Sequence, residues 1–252
     1  MDLRESLGLS VQSDELSLIY DNNEVIVKNI FFHKAKDFVS GLSLERWEGM
    51  NEEEEVFRVY EGLRRVEDKE LWDNLRFDVI TIQHGNLGNI CKSTLSYYRS
   101  LAENGYHYPE IYQVVDGYAE FFLQQPGIKH ENVKDAVLIR VQKFDVIIIP
   151  PAYGVSIINP SEKRTILARI RADEAKEIID PFEKTKGPCY LRLVEGRWEF
   201  NTNYEEIPQL RLGEPQNKWK TVKRGIPMYA SYIYRPKHFQ VLIEPDPAEF
   251  QL

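Results

Sequence analysis

From Phe77 onward the 252-residue chain breaks into short β-rich runs, each closed by turn residues, and this spacing constrains its fold more than any other feature. Residues 77–82 end at His84-Gly85-Asn86, and residues 93–100 read as a second run. Residues 108–115 and 118–124 flank Asp116-Gly117, a pair that predicts a hairpin. Residues 136–142, 145–150, 155–159 and 165–171 follow. Residues 189–194 and 197–200 flank Glu195-Gly196 and predict a further hairpin. Many short strands at this spacing predict a β sandwich or barrel. Residues 172–183 are expected to form a loop with a helical turn.

The flanking regions read differently. In residues 1–50, the runs 16–20 and 24–28 about an Asp21-Asn22-Asn23 turn predict a hairpin, and residues 31–41 fit a strand or a helix. Asn51 is expected to cap a helix. Glu52 to Glu55 would put negative charge in its first turn, where the dipole favours it, and Val56, Tyr60, Leu63 and Leu71 fall near helical spacing. The acidic run is read as a solvated helix start, not a metal site. After Asn201, six prolines from Pro208 to Pro247 punctuate a tail. Its aromatics Trp219, Tyr229, Tyr232, Tyr234, Phe239 and Phe250 are expected to bury themselves by wrapping the barrel or a partner subunit. The expected organisation is an N-terminal arm of strands (1–50), a barrel with a leading helix (51–200) and a C-terminal extension (201–252).

A net charge of -8 argues against nucleic acid as the main partner, because phosphate binding needs a basic surface. Two cysteines far apart, Cys91 and Cys189, read as reduced, packed thiols. The N-terminal residues lack a charged-then-apolar signal pattern, and no apolar run approaches the roughly 20 residues of a membrane span. The expected location is therefore the cytoplasm, with no membrane partner.

Within residues 108–124, Glu110, Tyr112 and Val114 share one strand face. A carboxylate on such a face either holds a ligand or needs a partner of its own. Four stretches here resemble the cupin-type glucose-6-phosphate isomerases of archaea and some bacteria. Residues 77–85 look like that family's strand leading to a turn. Residues 92–98 (KSTLSYY) sit where the family has Lys-Thr-x-Gly-His-Tyr-His. Residues 108–117 (YPEIYQVVDG) match its Pro-Glu-(Val/Ile)-Tyr-x-(Val/Leu)-Leu-x-Gly segment, and residues 150–160 (PPAYGVSIINP) match Pro-Pro-Gly-Tyr-Gly-His-x-x-Ile-Asn-Pro.

The resemblance implies a mainly β cupin jelly roll, a homodimer and a place in carbohydrate metabolism (glycolysis or gluconeogenesis). It also implies a divalent cation held by His-x-His, a glutamate and a later histidine. Those positions fall on Ser96, Tyr98, Glu110 and Val155, so one metal ligand of four is kept. Serine hydroxyl and valine do not replace imidazole, and no bound metal is expected. A relocated site would have to use His84, His107 and Glu110. Implied substrate-binding positions fall on Ser93, Tyr98, Tyr112 and Tyr153.

Three readings follow. In the first, the chain binds a sugar or sugar phosphate as a regulatory protein with little or no metal-dependent isomerase activity. In the second it is an active sugar-phosphate isomerase with Glu110 as the base and a tyrosine, Arg169 or Arg171 in place of the metal. In the third it is a structural cupin with a filled barrel. A carboxylate at position 110 paired to Arg169, Arg171 or a tyrosine would mark a vacated metal pocket.

Overall fold

The computed structural model describes residues 1–42, 50–72 and 74–250. Ten of its strands build two facing sheets: β1 (Asn29–Lys34), β2 (Glu55–Glu61), β3 (Leu75–Ile82), β4 (Glu110–Asp116), β5 (Tyr118–Pro126), β6 (Val133–Gln142), β7 (Val146–Ile149), β8 (Gly154–Ile158), β9 (Thr165–Ala172) and β10 (Arg211–Gly213). The first sheet has the order β7-β4-β9-β3-β2-β1 and the second β8-β5-β6-β10. Neighbours are antiparallel, except that β10 runs parallel to β6. From β4 to β9 the chain passes between the two sheets at every step except β5 to β6, a hairpin within the second sheet, and this is the winding of a jelly roll. The protein is a mainly β cupin-type barrel.

Side-chain alternation divides the core into an inner and an outer layer. Tyr112, Val114, Phe121, Leu123, Val137, Ile139, Ile147, Val155 and Leu167 fill the barrel interior. Ile111, Val115, Ile166, Ala168 and Ile170, from the same strands of the first sheet, point outward. The tail and the N-terminus cover that outer face with Leu3, Leu7, Trp219, Met228, Tyr229, Tyr232, Phe239 and Phe250. Strands buried on both faces read as near-continuous apolar runs, and Val146–Ile149 is one. The tail also satisfies the outer edge of β7. The Ile148 and Val146 amides donate to Gln216 Oε1 and Asn217 Oδ1, each at 3.1 Å. No helix among the described residues is long and apolar enough to cross a membrane.

Three expectations are corrected. Asp116-Gly117 does not make a hairpin, because β4 and β5 belong to different sheets and the chain turns a corner between them. Gly117 has φ of 89°, and a Cβ there would lie 2.8 Å from the Arg164 carbonyl oxygen. Glycine is thus required by the corner's conformation and by the close passage of a neighbouring chain.

Nor does a helix follow Asn51. Residues 55–61 form strand β2, between β1 and β3. Phe57 and Val59 face inward and Tyr60 faces the outer core, and a register shift at the start of the strand turns Val56 inward as well. Apolar residues at 56, 57, 59 and 60 imitate helical spacing because both faces of the strand are buried. In the N-terminal arm, Ser17–Tyr20 pairs with Val11–Asp14 and not with residues 24–28. Val25–Ile26 pairs instead with Arg64–Arg65.

Candidate functional site

Glu110 opens β4 at one end of the barrel, and the sheet register determines what surrounds it. Across the β4–β9 pair it stands opposite Arg171, and Tyr112 stands opposite Arg169. Across the β9–β3 pair Arg169 stands opposite Asp78. Paired residues of neighbouring strands share a face, so these groups converge inside the barrel. Residues 92–99 cross the same end as an irregular strap, bridged to β8 at Ser93–Ile158 and Tyr97–Val155. The strap then pairs Arg99 with Glu177.

The result is a chain of alternating charges. Arg99 donates to Glu110 Oε2 at 2.5 Å and lies 3.3 Å from Glu177. Arg169 reaches Glu177 at 3.2 Å, Glu110 at 3.6 Å and Asp78 at 2.7 Å. Arg171 joins Asp78 at 2.9 Å to Glu61 at 2.7 Å. The Tyr97 hydroxyl donates to Glu110 Oε1 at 3.0 Å and shares a 2.6 Å hydrogen bond with the Tyr112 hydroxyl. Glu110 and Asp78 are 0% exposed, and Arg99 and Arg169 are 3% and 2% exposed. A buried charge without a partner is very costly, and here each one meets an opposite charge.

The electrostatics follow from that pairing. Burial pushes the Asp78 carboxyl up, but Arg169 and Arg171 outweigh it and hold it below its ordinary range. Glu177 is held down in the same way, with burial opposed by Arg99, Arg169 and Arg171. Burial, then the charge of Glu110, pushes the Tyr97 and Tyr112 hydroxyls far up, so both stay neutral.

The structure brings Tyr112 and Arg169 to Glu110, joins Arg171 to the same charge chain through Asp78, and places the other expected residues elsewhere. Ser96 bonds Ser156 at 2.5 Å. Tyr98 stacks on Phe182 and accepts from Gln124. The Tyr153 hydroxyl donates to Asp135 at 2.6 Å, and burial, then this contact, pushes it up to about 12. Ser93 and Ser96 line a cavity of about 60 Å³ together with Phe38, Phe182 and Leu191. Val155 packs in the apolar interior. His84 sits in an exposed turn beside Gln83, and His107 contacts the Arg99 carbonyl. Neither histidine joins Glu110.

The inward-facing residues of the strap are Tyr97 and Arg99, one position beyond those aligned with His-x-His. Sequence reasoning missed these two, and it missed Asp78 and Glu177. One signal was available: Arg169 and Arg171 stand two apart within an apolar run, hence on one face, and Asp78 is a lone charge in another such run.

This donor set does not suit a divalent cation. A guanidinium already lies against the carboxylate, a second is within 3.6 Å of it, and the remaining neighbours are neutral phenols. Such a cation needs several free oxygen or nitrogen lone pairs. Among the described residues no group of three or more His, Cys, Asp or Glu could hold a metal ion.

The fold and this buried site define a cupin whose barrel end is closed by paired charges. The model of the family described as Glucose-6-phosphate isomerase (GPI) matches residues 38–209, and the chain belongs to that family. No curated protein matches it. Among solved structures it is similar to the vicilin of Solanum melongena (19% identity over 49% of this chain and 31% of that one, TM-score 0.36). It is also similar to the oxalate decarboxylase of Bacillus subtilis (14% identity over 49% and 28%, TM-score 0.36). The chain spans about a third of the length of these proteins.

Proposed function

We propose that this chain is a structural or interaction member of the glucose-6-phosphate isomerase family, without a metal centre and without metal-dependent isomerase activity. The observation that carries this reading is the complete enclosure of Glu110, whose carboxylate accepts from Arg99 and Tyr97, with the Tyr112 hydroxyl in turn bonded to that of Tyr97. A general base must come within hydrogen-bond reach of the proton it removes, roughly 2.6–3.2 Å. A carboxylate with no exposed surface, bonded to Arg99 and Tyr97 and faced by Arg169 at 3.6 Å, has no position left for a sugar. Arg169 and Arg171 are likewise committed to Asp78, Glu177 and Glu61. Space argues the same way. The cavity at Ser93 and Ser96 holds about 60 Å³, whereas sites for small molecules run to about 300 Å³ or more.

The test is metal analysis combined with a coupled assay. Purified protein incubated with excess manganese, iron or zinc is expected to retain much less than one equivalent. With fructose 6-phosphate it is expected to show no turnover above buffer. A tight one-to-one metal site, or turnover that Glu110→Gln abolishes, would overturn the proposal.

A further inference from the structure

Two buried donors that meet no acceptor among the described residues, Arg64 Nε and Trp72 Nε1, line one cavity of about 330 Å³. Its apolar wall, Leu63, Trp72, Leu75 and Phe77, belongs to the outer core, so the cavity lies outside the barrel and apart from Glu110. A buried donor left without a partner is costly, the more so when it is charged, and demands an explanation.

A turn brings two cations side by side at this cavity. Gly62 has φ of 64°, and a Cβ there would lie 2.9 Å from Lys28 Cβ and 3.5 Å from Arg64 Nη1. Arg64 Nη1 donates to the Gly62 carbonyl at 3.3 Å. The other edge of the guanidinium, Nε with Nη2, has no acceptor among the described residues. Lys28, half-exposed, approaches only Asp173, at 3.9 Å. Lys69, exposed on the short helical turn Lys69–Trp72, has no ion pair among the described residues. Arg76 is already matched, because it holds Asp173 and donates to Glu61 at 2.9 Å. Beside the Trp72 indole the Tyr229 hydroxyl is engaged as well, donating to Asp68 at 2.7 Å and accepting from the Arg65 amide at 3.0 Å. Lys28, Arg64, Lys69 and Arg76 thus outnumber the lining carboxylates Glu70 and Asp173, in a chain whose net charge is -8.

We propose that this cavity binds the phosphoryl group of a small phosphate ester. Each unsatisfied group there is a donor, so its complement is an anion rich in acceptors. A free guanidinium edge takes two oxygens of a carboxylate or phosphate in parallel N–H···O bonds. A phosphoryl group keeps a third terminal oxygen for Lys28, Lys69 or the indole, which a carboxylate lacks. The volume falls within the range of small-molecule sites, about 300–1,000 Å³, and leaves the apolar wall for the esterified group. The proposal does not depend on whether Glu110 has a catalytic role.

Isothermal titration calorimetry of the full chain with phenyl phosphate and with inorganic phosphate, at matched ionic strength, tests it. Phenyl phosphate is expected to fill one site per chain, and inorganic phosphate to bind there about tenfold more weakly for want of contacts with the wall. Arg64→Lys keeps the charge but removes the fork, and should weaken phenyl phosphate about tenfold. Lys69→Gln, at an exposed position where the fold tolerates change, should weaken it about threefold. Both variants should keep the circular dichroism of the unaltered chain. Absence of saturable binding, equal affinity for the two probes, or affinity for phenyl phosphate that both variants leave within about twofold would overturn the proposal.

Discussion

Arg99 is the residue on which the interior turns. Its guanidinium lies against Glu110 and also reaches Glu177, which stands at the rim with its side chain 37% exposed. Removing one partner of a buried pair leaves the other charge uncompensated and costs about 3–5 kcal/mol. Arg99→Met is therefore expected to destabilise the fold by that amount in urea or guanidinium denaturation. The double variant Arg99→Met/Glu110→Met removes both charges, and it should be more stable than the single variant by about 2 kcal/mol. If Arg99→Met costs less than about 1 kcal/mol, the pair is no stronger than a surface ion pair and the description of the interior is wrong. Glu110 was legible in the sequence because a lone carboxylate in an apolar run demands an explanation. Arg99 and Tyr97 were not, because the strap from Lys92 to Arg99 has no steady period and only its bridges to β8 and Glu177 set its register.

At the scale of elements, most strands after Phe77 were legible from their own residues, and what lay between them was less so. Asp-Gly favours a tight turn locally, but both flanking strands have neighbours that bury them better. Strand β4 lies between β7 and β9, and β5 between β6 and β8. Tertiary pairing thus overrides the hairpin preference and makes Gly117 a corner. The same competition converts residues 55–61 from an expected helix to a strand, because a strand buried on both faces has no alternation left to reveal it. The corner reading predicts a large effect from a small change. Gly117→Ala must hold alanine at a left-handed φ and force its methyl against the Arg164 carbonyl. A loss of about 2 kcal/mol or more is expected. Gly41→Ala, where a Cβ would meet nothing within 4 Å among the described residues, is expected to change stability by less than about 0.5 kcal/mol. Thermal melts of the two variants side by side check this, and equal melting temperatures would refute the corner argument.

The whole molecule encloses a lattice of opposite charges in an apolar shell, and this arrangement sets how it responds to acid. Asp78 and Glu177 hold their charge in the fold to lower pH than their ordinary values of 3.8 and 4.5. A carboxyl lowered in this way stabilises the fold fully above its unfolded value, and that contribution disappears as pH falls through the folded value. Stability should therefore stay level from neutrality to about pH 5 and fall below about pH 4.5, as the unfolded chain takes up protons that the native lattice refuses. The loss should be cooperative, since neutralising Asp78 leaves Arg169 and Arg171 facing each other without the anion between them. Denaturation midpoints followed across this range measure the effect. Asp78→Asn should be less stable at neutral pH and should lose stability less steeply below about pH 4.5, because one titrating group is gone. A profile that falls mainly between neutrality and about pH 5, or one whose acid limb Asp78→Asn leaves unchanged, would mean that the lattice does not govern acid stability.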